Sequence, residues 1–336
     1  MFNNKYFLVA FVFLILVCCN KKNNDEKEKL LMMYPDFNPK YSYDGEKLIF
    51  DIRYNYKSRI FEYNRDSQKL KVFTDKDNIL ENVFEPSYSI DSQFITFIKY
   101  FKSSGTREVF IMKSDGTDIV QLTYNNMLCY FPFFSNDSKK IFFGMKQKVK
   151  SMFKVYSVEI NSKKVTLISN DEFINATSPG ITNNDKYIIF SDIDLTALHE
   201  DIANKRDDSN NIDVDKIVKI DINDGSVSNI LYGNNLKPNI VNDTIIFLGY
   251  NLIDRIYKNK LYKLFNLAVY KIDIDGNNME TLYDDKLDMK SFRVSKNGRY
   301  AFFESYNGHF YEIDLISKNK KEIVFDENYI IEQFNK

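Results

Sequence analysis

The chain has 336 residues, with 46 Lys+Arg against 47 Asp+Glu and a formal charge of −1. That balance excludes a globally basic nucleic-acid binder and an acidic solvating tail, so no nucleic-acid partner is expected. Hydrophobic content of 44% suits a folded protein with a large core, and 23 tyrosines and 29 phenylalanines without a tryptophan lean towards strands.

The N-terminus reads as an address. Lys5 precedes an apolar run from Tyr6 to Val17, 12 residues long, where a bilayer-spanning helix needs about 20. Short length behind a positive charge predicts a secretory signal. The run ends in Leu16, Val17, Cys18 and Cys19, which resembles a bacterial lipobox. Cys19 fits the lipidated position, with Leu16 at −3 and the small Cys18 at −1. Cys18 is the alternative, with the bulkier Val17 before it. Residues 1–18 are thus expected to be a lipoprotein signal peptide, and 19–35 an acylated cysteine, palmitate included, with a flexible tether. Residues 20–29 contain no apolar side chain and cannot join a core. Asn20, rather than Asp, after Cys19 resembles the sorting signal for the outer membrane. Cys129 is then the only cysteine left in the body. It has no partner for an internal disulfide, and its apolar surroundings mark it as a small buried hydrophobe.

The body repeats. Pro39, Pro86, Pro132, Pro179 and Pro238 follow one another at 47, 46, 47 and 59 residues. Behind each comes Ser or a substitute, then Asp or Asn, a turn residue, and an apolar triplet ending in Phe. Pro39, Ser42, Asp44 and Gly45 lead to Phe50; Pro86, Ser89 and Asp91 to Phe97; Pro132, Ser135 and Asp137 to Phe143; Pro179, Thr182 and Asn184 to Phe190. A fifth copy, two residues shorter, runs from Pro238 through Asp243 to Phe247. A sixth has Phe292 for the proline, then Ser295, Asn297, Gly298 and Phe303. Each copy continues with two alternating runs around a turn such as Asp115-Gly116, Asp224-Gly225 or Asp275-Gly276, a strong hairpin signal.

Four short antiparallel strands per repeat, six times between residues 36 and 326, predict an all-β, six-bladed β-propeller rather than a solenoid. The blades are placed near 36–74, 83–123, 129–169, 176–231, 236–283 and 290–326, and residues 327–336 are a possible closure strand. The repeat resembles the WD-like propeller repeat of TolB and of prolyl oligopeptidases. The resemblance covers nearly all of the mature chain and implies the fold and an envelope location. It stops short of the TolB α/β domain and of a hydrolase domain, so neither TolB's partners nor a peptidase activity follows.

Lettering the strands A to D from the axis outward, the A–B and C–D turns are short and alike, whereas the B–C connections vary, and variable loops on a rigid frame usually carry function. Residues 192–215 form a long connection of formal charge −6, in which Asp194 could cap a short helix. Residues 250–266 carry +3, with apolar residues at helical spacing. The expected binding face comprises Tyr100, Phe101, Lys102, Lys146, Lys148, Lys150, His199, Arg255, Tyr257, Lys258 and His309. Lys99, Arg107, Lys154, Tyr54, Tyr56 and Phe153 lie nearby. Solvated loop lysines and charges answering one another across loops are the plain alternative. No metal-ligand spacing, nucleophile elbow or phosphate loop is present, so no catalytic residue, metal or cofactor is expected. The sequence therefore points to a membrane-anchored binding or scaffolding module with a protein or anionic glycan partner. An envelope enzyme with an axial site (a hydrolase or lyase), or an accessory subunit of an envelope complex, stands as the alternative.

Overall fold

The computed structural model describes residues 38–75, 77–147, 152–174, 177–193, 215–254, 261–262, 267–284, 289–305 and 308–335. The segments expected as signal peptide and tether, with Cys18 and Cys19, lie outside the described residues. Among those described, no helix is long and apolar enough to cross a membrane.

The protein is an all-β propeller of antiparallel four-stranded units. The first repeat forms β1 (Lys40–Tyr41), β2 (Lys47–Tyr54), β3 (Lys57–Asn64) and β4 (Lys69–Val72), paired in chain order. The second gives β5 (Val83–Tyr88), β6 (Phe94–Phe101), β7 (Thr106–Lys113) and β8 (Val120–Gln121). The third gives β9 (Leu128–Phe134), β10 (Lys140–Lys146), β11 (Lys154–Glu159) and β12 (Val165–Leu167). The fourth and fifth comprise β13 (Thr177–Ile181), β14 (Tyr187–Ile193), β15 (Asp215–Asp221), β16 (Val227–Val241), β17 (Thr244–Asp254), β18 (Leu261–Tyr262), β19 (Ala268–Asp273) and β20 (Glu280–Tyr283). The sixth forms β21 (Met289–Val294), β22 (Tyr300–Ser305), β23 (Phe310–Asp314) and β24 (Lys320–Ile323).

Hydrogen bonding groups these strands into four sheets rather than six. One parallel bridge, Arg107 to Leu128, joins the second repeat to the third. The unbroken strand β16 pairs with β15 at one end and β17 at the other, and so joins the fourth to the fifth.

The repeat motif explains the innermost strands. Proline lacks an N–H and is tolerated where one strand edge needs no partner. β5, β9 and β13 each hold such a proline, and their register with the next strand slips beside it. The residue before proline takes the left-handed conformation in all three: Glu85 at φ 54°, Phe131 at 53° and Ser178 at 56°. Non-glycine residues pay about 1 kcal/mol or more there, and the cost is tolerated where surrounding structure fixes the bulge. After the strand, the Ser hydroxyl donates to the Asp two residues on (Ser42 to Asp44 at 2.6 Å, Ser89 to Asp91 at 2.6 Å) and accepts from the N–H five residues on. The turn then needs a positive φ at Gly45, Ser92, Ser138, Asp185 and Gly298.

The core lies between repeats. The described residues form six hydrophobic clusters, each drawn from two neighbouring repeats, and each receives one repeat phenylalanine: Phe50, Phe97, Phe143, Phe190, Phe247 or Phe303. All six rings are at most 1% exposed, and burying each is worth about 2–3 kcal/mol. Cys129 is wholly buried in one cluster, and burial, then the Glu108 carboxylate, pushes its thiol pKa up. It is a packing residue, as its surroundings predict.

The cluster between the last and first repeats contains a helix, α1 (Glu327–Asn335), where the sequence suggests a closure strand. Asp326 caps it, accepting from the Tyr329 N–H at 3.0 Å. Ile330, Gln333 and Phe334, at helical spacing, are its buried face. The expected helix over 250–266 is likewise corrected at 250–254 and 261–262, and its other residues lie outside those described. Residues to Asp254 continue β17, and β18 pairs back on it, Ile253 with Tyr262 and Asp254 with Leu261. The region expected as a short helix after Asp194 lies outside the described residues.

Candidate binding surfaces at the loop face and the axis

On the B–C side of the first three repeats, cations and aromatic rings alternate in one row. The Arg53 guanidinium lies 4.8 Å from the Phe84 ring centre, and Arg107 sits 5.3 Å from Phe84 and 4.4 Å from Tyr130. Lys146 Nζ is 5.1 Å from Tyr130 and 4.1 Å from Phe153, whose two rings meet edge to face at 5.0 Å. The row is built by ends of strands: β2 supplies Arg53, β5 Phe84, β7 Arg107, β9 Tyr130 and β10 Lys146. Each contact contributes about 0.5–1 kcal/mol when partly solvated, and together they hold the cations over flat apolar surfaces. Burial, then the neighbouring Arg107, pushes the Lys146 pKa down. At the β2–β3 turn, Asn55 and Tyr56 both take positive φ, and the Tyr56 ring stands 98% exposed on this side.

Glu85 lies beneath the row. Its carboxylate accepts from the Phe131 N–H, and its own N–H donates to Asp51 Oδ1 at 2.9 Å. Burial pushes its carboxyl up to about 7, against the Phe131 N–H and the Arg107 guanidinium, which favour the charged form.

Of the residues expected on this face, Lys146 is in the row. Tyr100 is half-buried, Phe101 is half-buried with its ring 6.2 Å from Phe110, and Lys102 is exposed. His309 is exposed and pairs through Nδ1 with Glu322 of strand β24 at 2.7 Å. Lys148, Lys150, His199, Arg255, Tyr257 and Lys258 lie outside the described residues. Arg53, Phe84 and Tyr130 escape the sequence reading, although Phe84 and Tyr130 both stand two residues before a repeat proline.

A second feature lies on the axis. The innermost strands and the A–B turns that follow them enclose a cavity of about 120 Å³. No B–C residue lines it. Its charged lining consists of Lys40, Arg293 and Lys296, and no Asp, Glu or His is among the lining residues. Among the described residues no group of His, Cys, Asp or Glu could hold a metal ion.

No family model and no curated protein matches the chain. Its architecture does match solved structures. TolB from Acinetobacter baumannii superposes with a TM-score of 0.57 at 15% identity, over 84% of this chain and 64% of that one. The fold is that of the TolB-type β-propeller. A putative TolB from Agrobacterium tumefaciens gives 0.52 at 18% identity, over 74% of this chain and 80% of that one. The tricorn protease gives 0.56 at 12% identity, over 85% of this chain and 30% of that one. The chain thus spans less than two thirds of the Acinetobacter TolB. A TolB-type propeller also occurs within a protease, so the fold alone selects no activity.

Proposed function

We propose that this TolB-type propeller is a non-catalytic binding module of the bacterial cell envelope, held at the membrane by acylated Cys19 (or Cys18) and facing an anionic partner with its B–C side. The outer membrane is the proposed location, on the strength of Asn20. The propeller is read as six-bladed. Six repeat phenylalanines in six inter-repeat clusters support that count; β16 then serves as the last strand of the fourth blade and runs on as the first of the fifth, and the Arg107–Leu128 bridge is a single contact between adjacent blades.

The observation that carries the binding role is the row Arg53, Phe84, Arg107, Tyr130, Lys146 and Phe153. Fixed cations beside flat rings suit a chain of anionic sugars, whose carboxylates meet the cations and whose ring faces meet the aromatics. Buried acids and histidines, the usual material of an axial hydrolase or lyase, do not line the axial cavity. Retention of the full chain on immobilised polygalacturonate, with neutral dextran as control, tests this reading. Arg107→Glu with Lys146→Glu should abolish retention, and retention unchanged in that variant would overturn the role of the row. Mass spectrometry of the mature N-terminus tests the anchor: an unmodified N-terminus without acyl mass would remove it.

A further inference from the structure

Three cations meet at the axis without a carboxylate among them. Lys40 comes from β1, Arg293 from β21, and Lys296 from the turn after β21. Arg293 is 7% exposed and directs Nη1 to the Phe292 carbonyl at 2.7 Å and Nη2 to Asn38 Oδ1, while its Nε has no hydrogen-bond partner among the described residues. Across the cavity Ser178, 4% exposed, has an unpartnered hydroxyl. This serine is also one of the left-handed residues before proline, and strain of that kind gathers at ligand clamps. The Lys40 and Lys296 ammonium groups make no hydrogen bond to the described residues.

Buried polar groups without partners are costly, and like charges brought together in a protein-walled space are costlier still. Burial, then Arg293, push the Lys40 ammonium down to about 7; Lys296 adds to this and Glu85 opposes it. Burial pushes Arg293 down to about 10, and it lowers Lys296 against the attraction of Asp185 and Asp243. A negatively charged group in the cavity would relieve all three at once and offer acceptors to the orphaned Nε and hydroxyl.

We infer that the axial cavity is an oxyanion-binding site that takes a carboxylate or phosphate group between Lys40, Arg293 and Lys296, with Ser178 as an added donor. The site is separate from the row on the B–C side. Its ligand enters from the side of the A–B turns, whose residues Tyr43, Ile90, Asn136 and Lys296 line it.

Isothermal titration calorimetry of the full chain in detergent, at constant ionic strength, tests this with inorganic phosphate and with succinate in separate runs. Below the Lys40 titration near 7, one saturable site per chain is expected for at least one of the two anions, and the anion that binds identifies the class. Lys296→Met should weaken binding about tenfold or more, whereas Lys69→Met, the same charge change on the outermost strand β4, should leave it unchanged. Above pH 7, wild-type binding should take up protons, read from the heats in two buffers of different ionisation enthalpy, because the anion raises the Lys40 pKa. That measurement needs no variant. No saturable heat with either anion, equal weakening by Lys69→Met, or binding without proton uptake would each overturn the site. Retention on polygalacturonate reads the loop face and calorimetry with the small anions reads the axis, so failure here and failure of the loop-face reading are distinguishable.

Discussion

Arg65 and Glu312, 247 residues apart, form a two-pronged ion pair across the junction of the first and last repeats, Nε to Oε2 at 2.6 Å and Nη2 to Oε1 at 2.9 Å. The Tyr41 hydroxyl donates to the same carboxylate at 3.2 Å, and the guanidinium stacks 3.7 Å from the Tyr300 ring centre. At the next junction Tyr88, which like Tyr41 stands two residues after a repeat proline, donates to Glu62 of the first repeat. The closing junction is therefore built like an internal one, with an arginine added. Both charges are about nine-tenths buried, so removing one partner strands the other. Arg65→Met should cost about 2–3 kcal/mol by urea unfolding, and Arg65→Met with Glu312→Met should recover much of that. Additive losses in the double variant would refute the coupling.

Helix α1 completes the same junction. Phe334 lies 5.6 Å from Tyr54 and 6.1 Å from Phe61, and Phe325 lies 5.3 Å from Phe50 and 5.2 Å from Phe310. Arg59 of the first repeat bonds the Gln333 carbonyl, a cation at the negative end of the helix. Among the described residues the terminal sheets exchange no strand, and the contacts named here between them are made by side chains. Phe334→Ala should destabilise by about 3 kcal/mol, and Asp326→Ala, which loses the cap, by about 1 kcal/mol. Thermal unfolding indifferent to both changes would mean that the helix does not hold the junction.

These junctions divide what the residues disclose from what they conceal. The proline, serine and phenylalanine spacings are legible because each copy must make the same turn and fill the same gap between sheets. The helix is not, since the aromatic and branched residues of 329–334 suit a strand equally and the decision rests on the Asp326 cap and the Phe50–Phe61 surface. For the same reason helical spacing misleads at 250–254 and 261–262, because apolar residues of the paired strands β17 and β18 can fall at that interval by chance. Lys40 and Lys296 share no motif, and only closure of the propeller brings them to one cavity.

Two glycines separate backbone strain from crowding. Gly105, at φ 69° in the β6–β7 turn, has open space where a Cβ would stand. Gly225, at φ 72° in the β15–β16 turn, would place that atom 2.5 Å from the Ile168 carbonyl oxygen of the preceding repeat. Gly105→Ala should therefore cost about 1 kcal/mol, for conformation alone. Gly225→Ala adds an overlap with backbone and should cost about 2 kcal/mol or more. Chemical denaturation of the two variants side by side checks the order, and equal losses would contradict it.

Glu85 and Lys40 together set a pH dependence. Glu85 titrates near 7 in the folded chain, above its ordinary value of 4.5. Between those values the folded state binds the extra proton, so stability falls as pH rises, and the loss is complete above 7. Lys40 also titrates near 7, below its ordinary 10.5. There the unfolded state binds the extra proton, so stability rises with pH from 7 upward, and Lys296, also lowered, adds in the same direction. The two slopes meet as a minimum in the urea midpoint near pH 7, where many proteins are most stable. Lys40→Met should flatten the alkaline limb and leave the acid limb standing, whereas Glu85→Gln should do the reverse. A midpoint that instead peaks near neutrality in the wild type, or an alkaline limb that survives Lys40→Met undiminished, would show that these two groups do not govern it.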